Sequence, residues 1–328
     1  MKLKKQSKKN LCFIYNCLTR LDSTVELITA NLVGIASFPS TDKLSAYIAG
    51  LVEGDGSIKI PSSFRSDKGK ILYPSVTIVF VEKDLPLANF LSKILKGTVN
   101  KASGNWYVLS IYKFSALHEF AQLVNGKFRT PKIEALHRLI NWFNNYGKFD
   151  KIKHLSADES SVTSNSWLAG FSDCDSNFLI SFSTSNLGIA KNIRLTYRLS
   201  QRQEFHRTSS TGISYLPLLS TVATAFYTKF TSYERKRLKT KTNSTYTEKG
   251  YLVTVSTLAS RIALINYFLE FPLLSSKHLD YLNWVEAHEL VSSKQYRTVE
   301  GTTKLLELKS SMNNKRSSFN WEHLDSFV

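Results

Sequence analysis

The stretch Ile48-Ala49-Gly50-Leu51-Val52-Glu53-Gly54-Asp55-Gly56 is answered, a domain's length later, by Leu168-Ala169-Gly170-Phe171-Ser172-Asp173-Cys174-Asp175-Ser176. Each copy ends a short apolar run, Leu44 to Val52 and Trp167 to Ser172, with small residues where two helices can pack backbone to backbone. A β-branched or aromatic residue at Gly50 or Gly170 would hold such helices apart. Each run closes on an acid-x-acid step, Glu53-Gly54-Asp55 and Asp173-Cys174-Asp175. Strand-like residues follow, Ser57 to Ile60 and Asn177 to Phe182. A single apolar helix ending in acids is common, but recurrence with the acids in register marks a duplicated domain. Two such helices packed together deliver two carboxylates to one point.

These two motifs resemble those of the LAGLIDADG homing endonucleases in their single-chain, two-motif form, and the resemblance runs from about Asp42 to the C-terminus. It implies an α+β fold of two pseudo-symmetric αββαββα half-domains, the motif helices packed at the centre of a DNA-binding saddle. It further implies that Asp55 and Asp175 bind catalytic divalent metal, Mg²⁺ with Mn²⁺ able to substitute, beside the backbone carbonyls of Gly54 and Cys174. Glu53 and Asp173 are expected to make helix-end hydrogen bonds. Lys132, in Arg129-Thr130-Pro131-Lys132, and Lys277, in Leu274-Ser275-Ser276-Lys277, open late helices, and in similar family members a Lys there lies near the metal cluster. Gln201 resembles the family's water-orienting polar residue, and Glu82 is expected in the comparable place of the first half. Ser176 departs from the usual Gly, and if that position needs φ > 0 the second site would be distorted.

The implied activity is a metal-dependent double-strand break with short 3′ overhangs in a long asymmetric DNA target, promoting intron mobility. The alternative is a group I intron RNA maturase, with or without retained DNA cleavage; a third reading is a DNA-binding protein without activity. Proteins of this type are typically encoded in fungal mitochondrial introns, which implies a mitochondrial monomer.

Composition agrees with a nucleic-acid partner. A formal net charge of +17 and a pI near 9.6 attract a polyanion, although A/T-rich coding also enriches Lys. No apolar run approaches the 18 or so residues of a membrane span. Cys12, Cys17 and Cys174 form no disulfide framework and no zinc pattern. The seven histidines are scattered without an H-x-x-x-H pair, and no phosphate-binding Gly loop occurs.

The expected organisation is an N-terminal extension over 1–41, a first half-domain over 42–150, a linker over 151–163 and a second half-domain over 164–328. The extension opens on lysines and includes Leu11 to Leu18, a candidate short helix. In the first half the expected elements are strands Ser57–Ile60 and Ile71–Val81, a helix capped by Asp84 with Pro86 in its first turn, a hairpin of Thr98–Ala102 with Trp106–Tyr112, and helices Phe114–Val124 and Pro131–Asn145. The second half repeats the order with strand Asn192–Ser200, helix Tyr215–Phe226, strands Phe230–Arg237 and Tyr251–Ser256 across a long basic connection, and helices Leu258–Glu270 and Ser276–Val291. A further helix from Glu300 leads to an aromatic end at Phe319 and Trp321. Candidate DNA contacts are Lys59, Ser62, Arg65, Lys68, Lys70, Tyr73, Thr77 and Lys101 on the first sheet. On the second they are Ser181, Ser183, Arg194, Thr196, Arg198, Arg235, Arg237, Lys239 and Lys241. Most such contacts go to the phosphate backbone, so the set is read collectively.

Overall fold

Two helices crossing backbone to backbone form the centre of the molecule, seen in a computed structural model that describes residues 41–205, 213–239 and 244–325. They are α1 (Thr41–Asp55) and α5 (Trp167–Asp175). A Cβ at Gly50 would run into the Trp167 carbonyl oxygen, and one at Gly170 into that of Tyr47. The contact is reciprocal, as a pseudo-twofold demands. Nearly every residue of both helices from Ser45 to Val52 and from Trp167 to Asp173 is buried.

Each motif helix runs directly into a four-stranded antiparallel sheet. The first comprises β1 (Gly56–Lys59), β2 (Ser75–Val81), β3 (Thr98–Lys101) and β4 (Trp106–Ile111), ordered β1-β2-β4-β3. The second comprises β5 (Ser176–Thr184), β6 (Ala190–Arg202), β7 (Phe230–Lys239) and β8 (Ser244–Val255), ordered β5-β6-β8-β7. Between the second and third strands of each half lies a helix opened by the same words: Leu85-Pro86-Leu87 in α2 (Leu85–Ile94) and Leu216-Pro217-Leu218 in α6 (Leu216–Ala225). Pro suits the first turn, where its missing N–H costs nothing.

Helices α3 (Phe114–Val124) and α4 (Ile133–Tyr146) complete the first half; α7 (Leu258–Glu270), α8 (Lys277–Ser292) and α9 (Val299–Ser310) the second, with a short α10 (Glu322–Asp325). Apolar alternation sets which face each sheet buries. Val76, Ile78 and Phe80 of β2 and Leu195, Tyr197 and Leu199 of β6 point to the helices, leaving the opposite face open.

Three expected boundaries differ. Strand β2 begins at Ser75 because Pro74 cannot donate to a ladder. The preceding loop folds on itself through an Arg65–Ile71 bridge and an Arg65 guanidinium bond to the Gly69 carbonyl, with Phe64 packed 5.5 Å from Trp142. The basic connection in the second half is largely strand, since β7 and β8 pair from Phe230↔Val253 out to Lys239↔Ser244. At the tail, Phe319 and Trp321 are only partly buried, while Leu324 is buried. The extension with its Leu11–Leu18 segment, Cys12, Cys17 and Lys241 lie outside the described residues.

Candidate metal centre and nucleic-acid interface

The acids reach the seam because they occupy the last turn of each motif helix. Asp55 and Asp175 line one cavity of about 430 Å³ with Glu53, Gly54, Lys132, Arg138, Gln201, Arg202 and Tyr215. Burial raises the pKa of both. Asp175 is lifted to about 6 by burial and then by the Asp55 carboxylate, while Lys277 and Lys132 pull both acids back down. Two carboxylates that repel one another while sharing one cavity favour a cation between them.

The donors suit a hard oxygen-seeking ion. Among the described residues no three His, Cys, Asp or Glu side chains converge, so a cation held here would take its remaining ligands from backbone, water or phosphate oxygens. Cys174, packed on Gly54, gives its thiol to the Leu51 carbonyl, and burial raises its pKa well above the usual thiol range, which keeps it a neutral neighbour.

The two lysines are tied to the ends of the motif helices. Lys132 Nζ donates to the carbonyls of Val52 (2.8 Å), Glu53 (2.7 Å) and Gly56 (2.9 Å), with Gly54 at 3.4 Å. Lys277 Nζ donates to those of Ser172 (3.1 Å) and Cys174 (2.9 Å). Each ammonium thus sits against the carbonyls at the C-terminal end of its motif helix, where positive charge is favourable. The Gly54 and Cys174 carbonyls expected to face a metal are already shared with these lysines.

Glu53 and Asp173 are latches. Glu53 accepts from Thr130 N (2.6 Å), Thr130 Oγ1 (2.5 Å), Arg129 N (2.9 Å) and, across the seam, Trp167 Nε1 (2.6 Å). Asp173 accepts from Leu274 N (2.8 Å), Ser275 N (3.1 Å), Ser275 Oγ (2.5 Å) and, across the seam, Tyr47 OH (2.6 Å). Each latch holds the turn that precedes its own half's lysine and an aromatic residue of the other motif helix. Burial pushes Glu53 up to about 7 against these four donors.

Gln201 Nε2 donates to Asp175 Oδ2 at 3.0 Å. Glu82 has no such place. Gly56 lies opposite Ile78 and Ser176 opposite Leu199, so the register partner of Gln201 is Phe80, buried and apolar, while Glu82 is exposed. Ser176 is relaxed: its φ of −111° is ordinary extended backbone, and its hydroxyl donates to the Ser172 carbonyl at 2.6 Å.

On the open faces, strand parity sorts the candidate contacts. Lys59 and Thr77 share the open face of the first sheet, whereas Lys101 lies opposite Tyr107, on the face of Phe80, and stacks over the Tyr107 ring. Ser62, Arg65, Lys68 and Lys70 are exposed on the β1–β2 loop, and Tyr73 packs against Phe114. In the second sheet Ser181, Arg194, Thr196 and Arg198 fall on one face, and register continues it through Arg235, Arg237 and the backbone position of Lys239. Ser183 follows a break in register and is exposed. Arg235 stacks on Tyr233 at 4.4 Å, and Arg237 pairs with Glu248 at 2.7 Å. Arg202, on this open face and lining the cavity, was missed by sequence reasoning, although its alternation with Arg194 and Arg198 marks it.

Two half-domains, each giving one acid and one lysine to a common seam beneath paired open sheets, define a duplicated α+β fold. A family model described as LAGLIDADG endonuclease matches residues 48–155 and 168–288, and the chain belongs to that family. It is 35% identical over 303 residues to the intron-encoded DNA endonuclease aI3 of Saccharomyces cerevisiae, covering 86% of this chain and 72% of that protein. It is 27% identical over 271 residues to an uncharacterized cox1 intron-2 37.2 kDa protein of Schizosaccharomyces pombe, covering 81% and 72%. The fold matches the homing endonuclease I-GzeII in complex with its DNA target, with a TM-score of 0.58 at 15% identity over 83% of this chain and 99% of that one. The meganuclease I-SmaMI bound to cleaved DNA gives 0.57 at 14% identity over 83% and 97%.

Proposed function

We propose that this chain is a homing endonuclease that makes a divalent-metal-dependent double-strand break in a long, asymmetric DNA target and so spreads its intron. The observation that carries this reading is the pair of acids, Asp55 and Asp175, brought by two different half-domains to one cavity at the helix seam. Membership of the LAGLIDADG endonuclease family supports the class of reaction, and the named relative aI3 supports the intron-encoded setting.

Asp55 and Asp175 are the residues that would hold the cation, with the Gly54 and Cys174 carbonyls nearby. A divalent ion, Mg²⁺ in our reading with Mn²⁺ able to substitute, lowers the pKa of bound water and stabilises charge on the leaving oxygen. The protein's own contribution is positional and electrostatic. Lys132 and Lys277 favour the ionised acids and hold the helix ends; Gln201 orients the Asp175 carboxylate. The open sheets, with Lys59, Thr77, Arg194, Thr196, Arg198, Arg235 and Arg237, receive the duplex, while Lys68 and Lys70 flank it from the loop. Because one chain supplies both acids, a monomer suffices. The cox1 intron relative favours a mitochondrial setting.

The test is Mg²⁺-dependent cleavage of the joined exon sequence that flanks the reading frame. A double-strand break at one site is expected. Tight binding of that DNA without cutting would favour the maturase or an inactive binding protein, and splicing of the intron transcript with and without the protein separates those two.

A further inference from the structure

One acid near the centre has no part in the scheme above. Asp84 stands immediately before the Leu85-Pro86-Leu87 helix start, the place of an N-cap, yet its side chain makes no cap hydrogen bond. Its Oδ1 instead accepts from the backbone N–H of Ser276 in the other half at 2.7 Å. Ser276 is buried and directly precedes Lys277, in the turn that Asp173 already holds through Leu274 and Ser275. The two halves part company here. The position equivalent to Ser276 is Pro131, which has no N–H to give, and the residue heading the second Leu-Pro-Leu helix is Tyr215. Tyr215 lines the seam cavity together with Lys132 and carries no carboxylate to make the same bond.

We propose that Asp84 is a positioning residue that fixes the Lys277 turn from the opposite half-domain, through the Ser276 amide. The proposal rests on the endonuclease reading for its consequence, and on geometry alone for the contact. A cap would stabilise Asp84's own helix; a bond across the seam to a lysine-bearing turn ties the register of one half to the placement of the other's cation. Since Pro131 offers no N–H for such a bond in the Lys132 turn, loss of Asp84 perturbs one lysine and spares the other.

The experiment compares the parent with Asp84→Ala, Asp84→Asn and Ser276→Pro. The Asn amide oxygen still accepts, and Ser276 has φ −55°, which Pro tolerates, as Pro131 does in the other half. Hydrogen exchange at the Ser276 amide reads the contact without any cleavage: it should quicken in Asp84→Ala and stay protected in Asp84→Asn and in the control Tyr215→Phe. Strand-resolved cleavage reads the consequence. Asp84→Ala and Ser276→Pro should slow one strand by about tenfold more than the other, so that nicked DNA accumulates, while Asp84→Asn stays near the parent. Unchanged exchange in Asp84→Ala overturns the proposal. So does an Asp84→Asn variant as impaired as Asp84→Ala, which would assign the role to charge, or equal slowing of both strands. A parent that cuts no target, with exchange behaving as described, would instead sink the endonuclease reading and leave the positioning contact standing.

Discussion

The first and second halves are alike where they touch each other and unlike where they face outward. At the seam the principal contacts come in pairs: Gly50 with Gly170, Glu53 with Asp173, Lys132 with Lys277. Away from it, the outer hairpin of the first sheet pairs over Thr98↔Ser110 to Lys101↔Tyr107, while that of the second extends from Phe230↔Val253 to Lys239↔Ser244. Beyond Tyr233 and Gly250 the longer hairpin is solvent-exposed almost throughout, a ribbon of the kind that a major groove admits. Two buried faces pressed into each other constrain both copies at once, whereas open faces answer to different stretches of an asymmetric ligand.

The largest expected effect tests the symmetric part. Gly50→Val and Gly170→Val each drive a side chain into backbone of the partner helix, where nothing can yield cheaply. Each should cost about 4 kcal/mol or more in denaturant unfolding, or prevent folding. A tolerated Val on either side would mean that the helices are not in backbone contact there.

Next come the latches. Glu53→Ala and Asp173→Ala each leave four donors facing a buried hole, and each should cost roughly 3 kcal/mol by the same measurement. Similar losses would sharpen the equivalence of the halves; a loss in one alone would break it.

The ribbon tests the asymmetric part. Arg235→Ala with Arg237→Ala should weaken DNA binding and lower the salt dependence of log K by about one for each phosphate left without its cation. The same pair of changes at Lys59 and Thr77 should do less. If the affinity and salt slope are unmoved, the ribbon does not touch the duplex.

A smaller effect concerns acid. His278, partly buried, and His288, buried, both lie on α8, and desolvation lowers their pKa values to about 3 and about 4. A histidine whose folded pKa lies below its unfolded value, about 6.5, lends stability that is whole above that value and lost as pH falls through the folded one. Glu53 and Asp175, raised to about 7 and about 6, act in the opposite sense, holding protons more tightly when folded. Hydrogen exchange between pH 7.5 and 5 should therefore loosen α8 more than α4 of the first half. Greater loosening of α4 would contradict this account.

Much of this was legible in the residues. The doubled motif, its small residues and its terminal acids define the helix pair because close backbone approach leaves so few side chains possible. Helices such as α3 and α7 were readable end to end from periodicity and breakers. Three features were hidden for physical reasons. Asp84 resembles a cap in every local respect, and only a partner far along the chain takes it elsewhere. Glu82 looked like the counterpart of Gln201 until strand register assigned that place to Phe80. The outer reach of β7 and β8 carries no apolar alternation because neither face of the ribbon is buried, so the usual strand signal is missing. The role of Ser176 turned on a backbone angle that residue type alone does not reveal.

The central claim is that each half supplies one indispensable acid to a shared centre. Strand-resolved, Mg²⁺-dependent cleavage by the parent, Asp55→Asn and Asp175→Asn, alongside binding of the same DNA, tests it most directly. Either substitution should abolish the double-strand break while binding persists. Cleavage of both strands at the parental rate by either variant would contradict the account.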